Sequence, residues 1–420
     1  MNFFCKNKKS MCLLLMILTI TSLPGFARVG VGPAGATFDA NLKILRSKGI
    51  IGTHEVQLEV VGSGIVKTNQ QKGRKVELLA IPDSGYYFSH WEGAITGNEN
   101  PTTVTYIQND ITAVFAPIPT EPLHLVYTDE AERGVFVRNI EGSEVRQLGQ
   151  LAEGYRVRGL LSSPDGTKIA LYRYRSSDGD FSFFVADPET FENIYEFNES
   201  YDDDPRAWSS DGMKLAYTAK EQLRVYDFSK EETIEFNIEI PKGYLSWAPD
   251  NKRIVFVDNQ GNLYIADVET QILTKLLEHK GDTYYGTPAW SPVSNLIAYS
   301  KTSSEEGDSV THIFVMDANT KITKQLTKSS ESNSSPLWSP DGSRIAYMHG
   351  MSIFSKDLYI MNADGSNPKR VNSDFIFGTH KWSKYGARIL CSEGLGKYKI
   401  VNLDGTIVDE VESSIVNWFE

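Results

Sequence analysis

A chain of 420 residues that is 40% hydrophobic and 11% aromatic, with 33 Gly, 17 Pro and 3 Cys, is neither disordered, nor collagen-like, nor a disulfide-stapled miniprotein. It is long enough for two domains with their own cores. Lys and Arg number 42 against 54 Asp and Glu, a formal charge of −12 that leaves no basic footprint for nucleic acid or anionic lipid.

Residues 1–27 combine a basic stretch (Lys6, Lys8, Lys9), an apolar run from Met11 to Leu23 and a small-residue exit ending at Ala27, the layout of a secretory signal peptide. The run is too short to span a bilayer comfortably. Cleavage near Ala27 is expected to take the charge from −12 to −15 and to place the mature chain in the periplasm, outside the cell or on its surface. Two Cys leave with the leader. Cys391 then has no partner for an internal disulfide and reads as a small apolar residue within Arg388-Ile389-Leu390-Cys391, with a reactive thiol as the other reading.

Residues 28–54 form an N-terminal tail or linker, Gly-rich at first and then carrying Phe38, Leu42 and Leu45 at helical spacing, from which one short helix is expected. Residues 55–116 alternate as half-buried strands, with Val56, Leu58 and Val60, then Val76, Leu78 and Ala80 on one face. They also carry Gly62-Ser63-Gly64, the string Gly85-Tyr86-Tyr87-Phe88-Ser89-His90-Trp91-Glu92-Gly93, and Asp110 to Phe115. That order of landmarks resembles a divergent internalin-type B-repeat, a small β-rich module. The resemblance implies a spacer or contact surface, with Tyr87, Phe88 and Trp91 as its core. Residues 117–122 place three Pro in six positions, which predicts a semi-rigid polyproline spacer holding two domains apart.

From residue 123 to 420 one string recurs: Ala207-Trp208-Ser209-Ser210-Asp211-Gly212, Ser246-Trp247-Ala248-Pro249-Asp250-Asn251, Ala289-Trp290-Ser291-Pro292, Leu337-Trp338-Ser339-Pro340-Asp341-Gly342 and Lys381-Trp382-Ser383-Lys384-Tyr385-Gly386. A copy at Leu161-Ser162-Ser163-Pro164-Asp165-Gly166 lacks the Trp. Steps of 46, 39, 43, 48 and 44 residues, each with three further short strands, give the unit of a β-propeller. Pro, Asp and Gly suit a tight turn between the inner two strands. Trp208, Trp247, Trp290, Trp338, Trp382 and Trp418 read as apolar plates between blades. Strands near residues 124–148 lack a first strand, and Ile415-Val416-Asn417-Trp418 supplies one, so the tail should close a ring of seven blades, with six as the alternative count. This all-β region resembles the TolB-like (WD40-like) propeller family, most clearly at residues 337–365. The resemblance implies a propeller serving as scaffold, adaptor, peptidase domain or, in some members, lyase.

The turn strings fall on one face of such a ring and the long variable loops on the other. Those loops offer acids and aromatics, and Tyr201, Asp202, Asp203, Asp204, Arg206, Tyr284, Tyr285, Phe354, Phe375, Phe377 and His380 are the candidate binding residues, with ordinary solvated loops as the alternative. Asp202, Asp203 and Asp204 lack the spaced ligands of a calcium loop. No Gly-x-Ser-x-Gly, His-Glu-x-x-His or phosphate loop occurs, so no catalytic residue, metal or cofactor is expected. The expected role is non-enzymatic recognition of a protein or cell-envelope partner. The alternative is a metal-assisted polysaccharide (oligouronate) lyase using His349 and His380 with a further His at the pore.

Overall fold

The computed structural model describes residues 45–419 apart from 52–53, 72–74, 106–109, 120–122, 141, 143, 178, 198–204, 241–244, 306–307, 353–354, 373–379 and 395. The leader, Phe38 and Leu42 therefore lie outside the described residues. Leu45 does not continue a helix: Leu45–Ile51 is a strand paired antiparallel with His54–Val61. Its residues gain a full ladder of partners there, which outweighs the local helical spacing.

The N-terminal module is two small sheets. One orders Leu45–Ile51, His54–Val61, Ile111–Pro117 and Tyr86–Gly93; the other joins Gly64–Gln70, Lys75–Pro82 and Thr102–Thr105. Leu58, Val60, Val76, Leu78, Ala80, Phe88, Trp91, Ile111 and Phe115 close its core. Phe88 and Trp91 are an odd number of positions apart and would face opposite ways in a regular strand. A bulge between Phe88 and His90 turns both inward, 5.0 Å between ring centroids. Tyr87, expected in the same core, points away and meets Tyr385 of the propeller at 5.1 Å.

The propeller comprises seven four-stranded antiparallel sheets among the described residues. Blade 1 is His124–Thr128, Gly134–Asn139 and Val145–Gln150, completed by Val416–Phe419 from the far end of the chain. The register Val416 to Tyr127, Trp418 to Leu125 and Phe419 to His124 latches the ring. Blades 2 to 7 follow in order at residues 155–197, 205–239, 245–277, 284–325, 333–372 and 380–412.

Blades 2 to 7 turn from their first to their second strand at the recurring string. In blade 6 the Ser339 hydroxyl donates to Asp341 Oδ1 at 2.6 Å, the same oxygen accepts Ser343 N–H at 3.0 Å, and Gly342 supplies φ +67°. The Trp one position before Ser then crosses to the preceding blade. Its indole N–H donates to a main-chain carbonyl there: Trp208 to Leu161 (3.0 Å), Trp247 to Ala207, Trp338 to Ala289, Trp382 to Leu337 and Trp418 to Lys381 (each 3.1 Å). The two remaining junctions use serine. The main-chain N–H of Trp290 donates to Ser246 Oγ at 2.9 Å, and Ser162, standing where the repeat has lost its Trp, donates to the Trp418 carbonyl. All six Trp are buried. Five of the six plates, all but Trp290, are therefore also hydrogen-bonded clasps through their indoles. Cys391 is fully buried, and burial pushes its thiol pKa up to about 12, as suits a packing residue.

The two domains are not held apart, and the expectation of a rod-like spacer is corrected. Leu79 and Ile81, on the opposite face of Lys75–Pro82 from Leu78 and Ala80, join Ala289, Val315, Trp338, Tyr347 and Met361 of blades 5 and 6 in one buried cluster. Full burial of two such side chains stabilises docking by about 1.5–3 kcal/mol each. The run Leu78-Leu79-Ala80-Ile81 thus serves two cores, and the strand is buried on both faces. Within the former spacer, Pro117 ends a strand and Ile118 N–H returns to the Gly85 carbonyl at 2.9 Å.

Candidate functional site

The chain path fixes two unlike faces. Turns from first to second and from third to fourth strand lie on one, called the turn face; the second-to-third hairpins and the blade-to-blade connections lie on the other, the long-loop face.

The N-terminal module occupies the turn face at blades 5 to 7. Buried Asn100 is its pivot: its amide donates to the Ala80 carbonyl at 2.8 Å and to the Asp341 carbonyl at 3.1 Å, while Oδ1 accepts Ala80 N–H at 2.9 Å. Arg344 donates to the Pro82 carbonyl, and burial lowers its pKa against the pull of Asp341 and Asp83. Lys67 reaches Ser366 at 2.5 Å and pairs with Asp364 at 3.5 Å. A groove of about 730 Å³ remains where the module meets blades 6 and 7, lined by Ile65, Ile81, Pro82, Arg344, Lys369 and Arg388 among others.

Among the described residues no contact with the module falls on the long-loop face, which carries a cluster of polar and aromatic groups at blades 5 and 6. The blade 5 hairpin, Leu296–Glu305 with Asp308–Asp317, has strands of ten residues. Thr302 and Thr311 bond at 2.8 Å and Ser304 and Ser309 at 2.7 Å across it. Paired with Thr302, Tyr284 is 56% exposed, its ring 5.0 Å from His279, whose Nδ1–H donates to the Thr283 carbonyl at 2.5 Å. Tyr285 is half-buried against Tyr299, and burial raises its hydroxyl pKa.

In blade 6, Asn333 is buried and its amide donates to Ser329 Oγ at 2.7 Å and to the Glu331 carbonyl at 2.8 Å. Its Oδ1 is thereby fixed as the acceptor for His349 Nδ1–H at 2.9 Å. His349 Nε2 lies 3.1 Å from the Glu331 carboxylate, and Tyr359 covers the ring at 4.7 Å. Beside them Lys356 donates to Ser334 Oγ at 2.9 Å, its pKa lowered by burial. Thr311 N–H donates to Ser332 Oγ at 3.1 Å, which ties blade 5 to this network.

The structure brings together part of the expected set. Tyr284 and Tyr285 lie on the long-loop face. Tyr201, Asp202, Asp203, Asp204, Phe354, Phe375 and Phe377 lie outside the described residues, and Arg206 is described only as a member of the strand Pro205–Trp208. His380 differs from expectation. It opens the inner strand His380–Trp382 and is buried, with its pKa driven down to about 4 by that burial against the smaller opposing effect of the Ala346 backbone. It is a neutral packing group, not a loop residue offered to a partner. Sequence reasoning missed Glu331, Asn333 and Lys356; the Ser-rich stretch 329–335 ahead of Trp338 was their one signal. Among the described residues no three His, Cys, Asp or Glu side chains gather to hold a metal, and His349 already directs both ring nitrogens at Asn333 and Glu331.

Comparison with known proteins finds two family models. The TolB beta propeller domain matches residues 238–414, and the divergent InlB B-repeat domain matches residues 54–119. Similar solved structures include an oligogalacturonate lyase in complex with manganese, 15% identical with a TM-score of 0.51, covering 70% of this chain and 84% of that one. An oligogalacturonate lyase from Vibrio parahaemolyticus is 14% identical with a TM-score of 0.51, covering 70% and 85%. These likenesses concern the fold. Among curated proteins, the uncharacterized peptidase YuxL of Bacillus subtilis (strain 168) is 28% identical over 137 residues, 32% of this chain. The chain spans about a fifth of that relative, 20% of its length.

Proposed function

Since the chain joins a TolB beta propeller domain to a divergent InlB B-repeat domain, we propose that it is a non-enzymatic binding and scaffold protein of the periplasm or cell surface, recognising a protein or cell-envelope partner through the long-loop face of its propeller. One observation carries this reading: the B-repeat domain packs on the turn face through Asn100, Arg344 and Lys67, and leaves the opposite face to the loops. A rigid ring presenting loops with an exposed Tyr284 has the make-up of a recognition surface, a polar rim around aromatic anchors. The extracytoplasmic location rests on the leader-like residues 1–27 and on the company of the two domains; among the described residues no helix is long and apolar enough to cross a membrane. The commitment of His349 to Asn333 and Glu331, and the burial of His380, favour binding over metal-assisted lysis.

Site-specific photo-crosslinking tests the reading. A crosslinker at Tyr284 should capture an envelope component in cells, whereas one at Met213, 38% exposed on the turn face of blade 3, should not. Capture from Met213 alone, or turnover of oligouronates by the purified protein, overturns it.

A further inference from the structure

Near the ring's axis, blades 6, 7, 1 and 2 leave a cavity of about 350 Å³ lined by Ser162, Trp338, Lys381, Trp382, Asn417 and Trp418 with their neighbours. That volume is at the lower end of the range for small-molecule sites. Its lining combines three Trp with apolar residues, two Ser and Asn417, and Lys381 is its one charged residue. Lys381 donates to Asn417 Oδ1 at 3.0 Å, and among the described residues it has no carboxylate partner.

Asn417 cannot neutralise it. Its Oδ1 is shared with Trp418 N–H at 3.0 Å, and its amide donates to the Leu160 carbonyl at 3.3 Å. A Lys ammonium has three hydrogens to donate, so two remain. Burial lowers the Lys381 pKa to about 8, which leaves the group charged at neutral pH. Lys381 is half-buried, and the cavity adjoins its ammonium where a countercharge would be favoured over water.

We propose that this axial cavity is a binding site for a small oxyanion, held by the Lys381 ammonium and framed by Trp338, Trp382 and Trp418. An oxyanion supplies the missing countercharge and accepts the two spare hydrogens; the source is an organic carboxylate or inorganic phosphate. The site is separate from the long-loop face and does not depend on the partner bound there.

The test is thermal unfolding of the full chain at pH 7 with sodium acetate or sodium phosphate, each against sodium chloride at equal ionic strength. At about 100 times Kd the correct anion should raise Tm by about 3 °C, and Lys381→Met should abolish the rise. Acetate acting alone identifies an organic carboxylate as the source, and phosphate acting alone an inorganic one. No rise with either anion, or an equal rise in Lys381→Met, overturns the proposal. Should Lys381→Met fail to fold, wild type grown with ¹³C-labelled lysine decides: the Lys381 Cε resonance must move on adding the anion, and an unmoved resonance overturns it.

Discussion

The side-chain amide of Asn100 donates to the main-chain carbonyl of Asp341, 3.1 Å away, at the tip of the blade 6 turn. The turn string that builds the propeller is thus also the surface on which the N-terminal domain sits. Gly342, next in the turn, is covered so closely that a Cβ there would come within 2.4 Å of both the Asn100 carbonyl oxygen and Val293, at a φ of +67°. Gly342→Ala should therefore loosen docking while leaving the interior of the B-repeat domain intact. Hydrogen exchange should rise at Phe88, whose N–H donates to Asp341 Oδ2 at 3.4 Å across the interface, with a stability loss of about 2–4 kcal/mol.

The Trp clasps are not equal. Trp338 donates its indole N–H to Ala289, whereas the Trp290 indole N–H is buried without an acceptor among the described residues and lies beneath the Arg253 guanidinium at 4.9 Å. Replacing each by Phe keeps most of the plate. Trp338→Phe should cost about 1–2 kcal/mol more than Trp290→Phe in denaturant unfolding, because only it leaves a buried carbonyl unpaired.

Charge at the domain interface gives a pH signature. Burial and, second, the nearby Asp317 carboxylate raise the pKa of Glu99. The folded state then holds the Glu99 proton more tightly than the unfolded state, so its contribution is present below the ordinary carboxylate pKa and is lost as pH rises through the raised value. Glu99→Gln should raise Tm at pH 7 and change it little at pH 3.5; a variant with the same offset at both values contradicts this.

His380 works in the opposite direction. Its pKa is about 4, below the ordinary 6.5, so the unfolded chain takes the proton first and stability drains away as pH falls from about 6.5 to 4. The loss across that window should be about 3 kcal/mol. In His380→Gln, compared by denaturant unfolding at pH 7 and pH 4.5, the part of the acid sensitivity due to this group should disappear.

How much of this was legible follows from where each signal is stored. The ring was legible because Trp208, Trp247, Trp338 and Trp382 recur with the turn that each precedes, and the closing role of Trp418 followed from a strand missing at the other end. The indole hydrogen bonds were not, since the group that accepts from each Trp is a main-chain carbonyl 37–49 positions away, which a residue with any side chain could carry. The docking was hidden for a different reason. Alternation identifies one buried face, and Leu79 and Ile81 read as the spare side of a strand already assigned through Leu78 and Ala80. Tyr87 was misassigned because a bulge at Phe88 shifts the phase of the strand. At the candidate site, exposed Tyr284 was found from its loop, whereas Glu331, Asn333 and His349 form a network whose members signal nothing singly.

Closure of the ring by the chain's own tail sets which loops share a face. Val416–Phe419 supplies the inner strand of blade 1, Trp418 clasps blade 7 through Lys381, and Ser162 returns a bond to the Trp418 carbonyl. Thermal unfolding of the chain lacking residues 413–420 tests this directly. A fall in Tm of about 10 °C or more is expected, and an unchanged Tm would contradict the closed ring and the face assignment built on it.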